Sequence, residues 1–395
     1  MAYFANPMGI HDAKWMEALA PAEGSVLFCA PHEQELRKVP AGIDILPILP
    51  PIYSPTRFWE RRKTLKAIRK VLKDRKIELL HSMYAVPNAL WADETGTLTH
   101  IITTRGSDML VDYAQTYAQP KGWRQRMAFG LMRFNLSLAF QRAVAITCTS
   151  ERQAEIAAKL AGGRERIHLV RTGVDVDAYE RWQNAFKLSK PDKTESALLS
   201  GLRTPETQIY IFSPRSMKPL YNQHLLVEAF AGLIAKYPGV QMVLIDDQAD
   251  PAYANHVRAL VESLGLRDSI TFLPLQTPEQ LAERYFQSDL VVMIPSSDGT
   301  PVSAIEAMLM SRPVLLSALE YDRDLFSEAT CWRVPELTVK GVQQALEDLL
   351  NPKSLRDLNE RTLNAFLTAR KLANRRVEMN RVKALYTRFA RRSGK

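Results

Sequence analysis

The chain has 395 residues, room for two or three domains, and its 46% apolar and 24% charged residues are the mix of an ordinary globular protein, not of a disordered or collagenous one. Three scattered cysteines, Cys29, Cys148 and Cys331, exclude a disulfide framework and a cysteine zinc site and fit a reducing compartment. The formal net charge of +9 is concentrated in two runs: residues 57–76 hold ten Lys and Arg against Glu60 and Asp74, and residues 369–395 hold ten against Glu378.

Short β-branched runs alternate with segments of helical period through the first half. Strands are expected at Ala2–Ala5, Val26–Cys29, Ile43–Ile48, Ile77–His81, His100–Thr104, Val144–Cys148 and Ile167–Val170. Between them, Leu65, Ile68 and Leu72 mark the buried face of a strongly basic helix. This βαβ rhythm predicts a parallel sheet covered on both faces. From Phe186 to Thr207 the pattern dissolves into Lys, Ser, Pro, Asp and Thr. A second series follows, with strands at Gln208–Phe212, Gln241–Ile245, Ile270–Leu273, Leu290–Ile294 and Val314–Leu316 and helices at Gln223–Tyr237, Asn255–Leu264 and Thr277–Gln287. The expected fold is therefore α/β, with two Rossmann-like doubly wound domains at 1–185 and 208–375 and a linker at 186–207. A basic helix at 376–395 is expected to pack back on the first domain. Two such domains would face each other across a cleft at the carboxyl ends of their strands, where open α/β sheets bind ligands.

Several chemistries are excluded. No two glycines are spaced G-x-G, none precedes a Lys-Ser/Thr pair, and His32-Glu33-Gln34-Glu35-Leu36 is not a zinc-protease motif. Met1 to Asp12 has no basic and then apolar leader, and no run of eighteen residues is free of charge, so a cytoplasmic protein that does not span a membrane is expected. The basic runs are either solvated helix faces or a footprint for anionic lipid or a phosphate-bearing acceptor. No zinc finger, RNP motif or basic zipper accompanies them, so nucleic acid is not expected.

The richest stretch runs from Ile294 to Met308. An apolar strand enters the turn Pro295-Ser296-Ser297-Asp298-Gly299, then a helix that Thr300 would cap and Pro301 would open. The first N–H groups of that helix, at Val302 and Ser303, would bind phosphate. Asp298 and Glu306 flank this anion site, and a carboxylate that accepts two hydroxyls at once suits the diol of a ribose or a sugar.

These residues resemble the E-x7-E region of retaining GT-B glycosyltransferases, the "glycosyltransferase group 1" (family 4-like) proteins, with Asp298 in place of the first Glu. Ile209-Tyr210-Ile211-Phe212-Ser213-Pro214-Arg215 is similar to the family's diphosphate-binding segment. Its second cation, expected about six residues later, falls on Tyr221 or Asn222, with Lys218 nearby. Further likeness runs from Asn6-Pro7-Met8-Gly9-Ile10-His11 through His81 and Thr104-Arg105-Gly106-Ser107-Asp108 to Thr172-Gly173-Val174-Asp175, where Arg105 stands at a position often held by His in relatives.

The resemblance implies an N-terminal acceptor domain and a C-terminal nucleotide-sugar domain. It implies metal-independent transfer of a hexose, with retention, from a nucleoside diphosphate sugar (UDP favoured over GDP) to a hydroxyl of a glycan or lipid-linked acceptor in cell-surface polysaccharide or glycolipid synthesis. No cofactor is expected beyond that donor. Catalytic roles fall on Asp298, Glu306, Arg215 and Arg105. Donor-binding roles fall on Lys218, Gly299, Thr300, Pro301, Val302, Ser303, Gly9 and Leu275, and acceptor roles on His11, His81 and Asp108. Trp123, Phe129, Leu131, Met132 and Phe134, interleaved with Lys121, Arg124, Arg126 and Arg133, are either a core helix or a greasy basic surface for a lipid-linked acceptor at the inner membrane face.

Other readings stand beside these. Asp298 could serve only its turn, Glu306 a surface Arg, and Arg105 and Asp108 each other. Arg215 could be a solvated loop residue, and the histidines could be structural. A sugar-nucleotide epimerase, a phosphorylase or a non-catalytic nucleotide-sugar-binding protein could use the same fold.

Overall fold

The structure, a computed structural model, describes residues 1–6, 10–19, 22–31, 39–96, 99–106, 108–189, 196–200, 207–247 and 250–390, the side chains at 10, 11 and 352 excepted. The chain divides into two units: Met1–Thr172 with Arg375–Lys395, and Gly173–Asn374.

In chain order the first unit contains β1 (Ala2–Phe4), α1 (Ile10–Leu19), β2 (Ser25–Phe28), β3 (Ile43–Leu46), α2 (Phe58–Asp74), β4 (Leu79–Met83), α3 (Leu90–Asp93) and β5 (Thr99–Thr103). It continues with α4 (Trp123–Arg142), β6 (Ala145–Cys148), α5 (Glu151–Ala161) and β7 (Ile167–Leu169). The seven strands form one parallel sheet in the order β3-β2-β1-β4-β5-β6-β7. Alternation along β1 sends Ala2 and Phe4 into one apolar cluster and Tyr3 into another, as the two-residue period of a strand requires. Helix α2 buries Thr64, Leu65, Ile68 and Leu72 and leaves its lysines in water, as its spacing predicts. Strand β4 begins two residues later than expected, because Lys76 turns through φ 50° and Ile77 N–H closes the helix on the Leu72 carbonyl at 2.9 Å.

The second unit holds α6 (Val176–Ser189), α7 (Ala197–Ser200), β8 (Ile209–Ser213), α8 (Gln223–Ile234), β9 (Val240–Ile245), α9 (Pro251–Ser263), β10 (Ile270–Leu273) and α10 (Pro278–Gln287). After these come β11 (Leu290–Met293), α11 (Val302–Leu309), β12 (Val314–Ser317), β13 (Trp332–Val334), α12 (Val339–Leu350) and α13 (Leu355–Leu372). Its parallel sheet runs β10-β9-β8-β11-β12-β13. Helices α8, α9 and α12 pack on one face through Leu226, Val257 and Leu346, while α6, α10, α11 and α13 supply the cluster on the other. The three-residue edge strand β13 carries too short a pattern to be read from sequence.

The boundary between the units lies after Thr172, not near 185, because α6 sends Val176 and Tyr179 into the core of the second unit. The segment read as a linker contains α7, whose Leu198 is fully buried in that unit. Finally α14 (Arg375–Ala390) belongs to the first unit, where Met379 and Val382 pack with Trp15 and Met16 of α1.

Candidate functional site

In the second sheet the strand order reverses between β8 and β11, so the loops leaving their carboxyl ends lie side by side. Such a switch point is where open α/β sheets place ligands. One loop, residues 214–222, is closed by Asn222, which is buried at φ 54°. Its Nδ2 donates to the Ile294 carbonyl and to Ser296 Oγ, both at 2.8 Å, and Ser296 N–H donates to the Leu220 carbonyl at 2.8 Å. The two loops are thus tied together. Gln223 Nε2 donates to the carbonyls of Arg215 (3.1 Å) and Ser216 (2.7 Å), which sets the backbone from which Arg215 projects.

Arg215 Nη2 lies 3.1 Å from Asp298 Oδ2, and its guanidinium lies over the Tyr221 ring at 4.1 Å. Both partners of this pair are 15% exposed. Burial works to lower the Arg215 pKa, but Asp298, Tyr221 and Tyr285 outweigh it and raise the pKa above the ordinary arginine value, so the cation persists. Asp298 Oδ1 also accepts Gly299 N–H at 2.7 Å, so this carboxylate serves its own turn and Arg215 together. The Gly299 carbonyl accepts Asp322 N–H at 3.0 Å. Ser317 Oγ donates to the Pro295 carbonyl at 2.7 Å and lies 2.9 Å from the Tyr321 hydroxyl, supporting the turn from β12.

Helix α11 begins at Val302. Pro301 is its cap residue, at φ −65° and ψ 111°, and accepts Ala304 N–H at 3.1 Å. Pro301, expected as the first helical residue, stands before the helix instead, because its extended ψ keeps it outside the first turn, and Thr300 lies one position further out. Val302 and Ser303 N–H have no backbone acceptor among the described residues, as at any helix start without a side-chain cap. Glu306, one turn on, is buried, and Tyr285 O–H of α10 donates to its Oε2 at 3.1 Å. Burial first, and then Glu306, push the Tyr285 phenol well above its ordinary pKa, so it remains a donor. Asp298, Arg215, the 299–303 backbone and Glu306 therefore gather in one place.

Lys218 is near but exposed, at the head of a single turn over Pro219–Tyr221. Neither residue at the expected position of the second cation supplies charge, since Tyr221 stacks on Arg215 and Asn222 is spent on the loop tie. Leu275 is 73% exposed in the loop after β10.

The remaining candidates lie in the first unit. Arg105 follows β5, donates through Nη2 to Asp12 Oδ1 at 2.9 Å, and lies over the Trp15 ring at 4.0 Å. The ion pair considered between Arg105 and Asp108 is replaced by this one. Fully buried Asp108 instead accepts the backbone N–H groups of Ala85 (2.7 Å), Gly106 (2.9 Å), Arg105 and Met109 (both 3.0 Å). Burial raises its pKa against those four bonds. His81 is fully buried between Tyr386 O–H (2.6 Å from Nδ1) and Thr103 Oγ1 (2.7 Å from Nε2), and burial, with Arg105 and His100, lowers its pKa to about 3. Asp108 and His81 are both fully buried; Asp108 shapes the turn that carries Arg105, and His81 is held between two hydroxyls. Gly9 lies outside the described residues, and of His11 only its place in α1 is described.

Among the described residues no three His, Cys, Asp or Glu side chains gather to hold a metal. Among the described residues no helix is long and apolar enough to cross a membrane. The sequence reading missed Tyr285 and Asp12, and it met Asn222 only at the second-cation position, not as the tie between loops. The partners of Tyr285, Asn222 and Asp12 lie 21, 72 and 93 residues away, and no local spacing signals such pairs.

The comparisons agree with this architecture. The family profile "Glycosyl transferases group 1" matches residues 197–363, and "Glycosyltransferase Family 4" matches residues 13–178. A D-inositol 3-phosphate glycosyltransferase of Mycobacteroides abscessus is 32% identical over 156 residues, which is 39% of this chain and 32% of that protein. The match thus spans about a third of the curated relative's length. A glycosyltransferase from Rickettsia africae superposes with TM-score 0.69 at 14% identity, covering 98% of both chains. Anabaena HepE, solved in complex with UDP-glucose, superposes with TM-score 0.71 at 12% identity, again over 98% of each. Two parallel-sheet units with this switch-point site have the GT-B fold, and the chain belongs to the group 1 glycosyltransferase family.

Proposed function

We propose that the protein is a retaining hexosyltransferase that uses a nucleoside diphosphate sugar, UDP favoured over GDP, and a hydroxyl of a glycan or lipid-linked acceptor. The observation that carries this reading is the gathering of Arg215, Asp298, the α11 N-terminus and Glu306 at one switch point. In this reading Glu306 accepts the ribose hydroxyls, while Arg215 and the N–H groups of Val302 and Ser303 hold the diphosphate. Arg215 exchanges Asp298 for a phosphate oxygen, which releases Asp298 to orient hydroxyls of the transferred sugar. Catalysis then comes from charge stabilisation of the departing diphosphate and from holding the reactants together, with no metal needed to neutralise it. The acceptor oxygen bonds to the anomeric carbon on the face the diphosphate leaves, and the acceptor proton passes to the leaving phosphate oxygen. Gly299, Thr300 and Pro301 line the sugar, Lys218 adds charge from the rim, Leu275 meets the base, and Gly9, Arg105 and His11 belong to the reacting-sugar and acceptor side. The UDP-glucose complex of HepE and the activity named for the mycobacterial relative both support this reading.

An acceptor held in lipid fits a surface of the first unit. On α4, Trp123, Met127, Leu131 and Phe134 are 71%, 51%, 41% and 61% exposed, at spacings that put them along one stripe. Met132, expected among them, is buried in the core instead, and Phe129 packs against Tyr117. Phe58 and Trp59 at the start of basic α2 are also exposed. Tyr53 links the two regions, since its hydroxyl faces Asn135 of α4 and donates to Glu94, which pairs with Arg61 of α2. Aromatic side chains beside lysines and arginines suit peripheral attachment to an anionic membrane, in polysaccharide or glycolipid synthesis at the inner face.

Proton NMR of UDP-glucose turnover tests the chemistry without knowledge of the acceptor. The expected result is slow release of UDP in the presence of EDTA, with the first sugar formed in the α configuration. A β-configured product, or turnover that requires added metal, would contradict the reading.

A further inference from the structure

The second unit has a cavity of about 480 Å³ between α10 and strands β8, β9 and β10, lined by none of the loop residues described above. It exists because α8, α9 and α12 all pack on the opposite face of the sheet, which leaves α10 beside this end of the near face. Phe212, Val243 and Thr271 stand opposite one another in register across three strands and form its floor, with Leu273 beyond them. Arg284 and Gln287 of α10 form one wall.

Arg258 and Arg361 each meet an aspartate, but Arg284 has no ion pair, and no carboxylate stands against it among the described residues. Its Nη1 donates to Gln287 Oε1 at 3.0 Å, and Gln287 Nε2 donates in turn to Glu283 Oε1 at 3.0 Å, so the wall is held in place. Its Nε is buried with no hydrogen-bond partner. An orphaned buried donor on a cation is costly to leave unmet. The volume lies within the range of small-molecule sites, and the floor is apolar apart from Thr271.

We infer that this cavity binds a small organic anion with an apolar body, its carboxylate or sulfonate on Arg284 and its body over Phe212, Val243 and Leu273. The inference does not rest on the proposed transferase activity. Its test is fluorescence titration of the full chain with 1-anilinonaphthalene-8-sulfonate and with the uncharged N-phenyl-1-naphthylamine. A background of Trp123→Ser and Phe134→Ser keeps the dyes off the exposed stripe of α4. The expected result is one saturable sulfonate site, bound about tenfold or more tightly than the uncharged dye and weakened about tenfold or more by Arg284→Gln. Thr271→Trp, on the exposed edge strand, fills the cavity and should abolish binding. Equal affinity for the two dyes, absence of saturable binding, or variants that bind like the parent would overturn the inference. Should Arg284→Gln fail to fold, the dye pair and Thr271→Trp still decide it.

Discussion

Two buried histidines set an acid limit on the first unit. His81 and His100 are both fully buried and both lowered to about 3, chiefly by burial, so the folded chain keeps them neutral where the unfolded chain would protonate them near 6.5. The unfolded state then binds more protons below pH 6.5, and stability falls as pH falls, by about 1.4 kcal/mol per unit for each histidine. Chemical denaturation between pH 7 and pH 5 should show this slope, and His100→Gln should remove about half of it. Because burial raises Asp12, Asp108 and Asp289, which act in the opposite sense, the test is the difference between parent and variant: a slope that His100→Gln leaves unchanged would contradict the assignment. From sequence His81 stood open between an acceptor role and a structural one. A histidine within a strand pattern looks alike in either role until its partners Tyr386 and Thr103 are known.

At the level of elements, the strands and the α11 region were readable because each has a local cause. Period-two apolar runs give strands, and a strand, an Asp-Gly turn and a proline before an apolar helix give the loop that presents Asp298 and Glu306. What was not readable depends on contacts between elements. The Asn222 tie that joins two loops, the Tyr285 bond to Glu306 and the Asp12 partner of Arg105 all arise from strand order. The boundary after Thr172 also escaped, since α6 looks the same whichever core it enters. The turn carrying Arg105 yields a prediction at this scale. Gly106 sits at φ +123°, where an added Cβ would meet only Gln153 Nε2, at 3.6 Å. Gly106→Ala should therefore cost backbone strain alone, about 1–3 kcal/mol, read as a lowered denaturation midpoint. An unchanged midpoint would mean that the turn adopts another conformation at no cost.

For the whole molecule, the asymmetry of charge and apolar exposure is the feature with consequences. Basic α2 and the exposed stripe of α4 belong to the same unit as α14, which places most of the net positive charge there. Sedimentation with vesicles should show binding to phosphatidylglycerol-containing membranes and little to phosphatidylcholine alone. Raising the salt should weaken it, because screening shortens the reach of surface charge to about 8 Å at physiological ionic strength. Trp123→Ser with Phe134→Ser should release the protein even at low salt. Failure to bind anionic vesicles at low salt would remove the membrane from the proposed function while leaving the donor site untouched.

The central claim is that the β8 and β11 loops with α11 form a nucleotide-sugar site whose positive charge comes from the protein. Calorimetric titration with UDP and GDP in EDTA, for the parent and for Glu306→Ala, tests it most directly. The account predicts that UDP binds without metal, more tightly than GDP, and that Glu306→Ala weakens it about tenfold or more by removing the ribose acceptor. Binding of neither nucleotide, or UDP binding indifferent to Glu306→Ala, would contradict it.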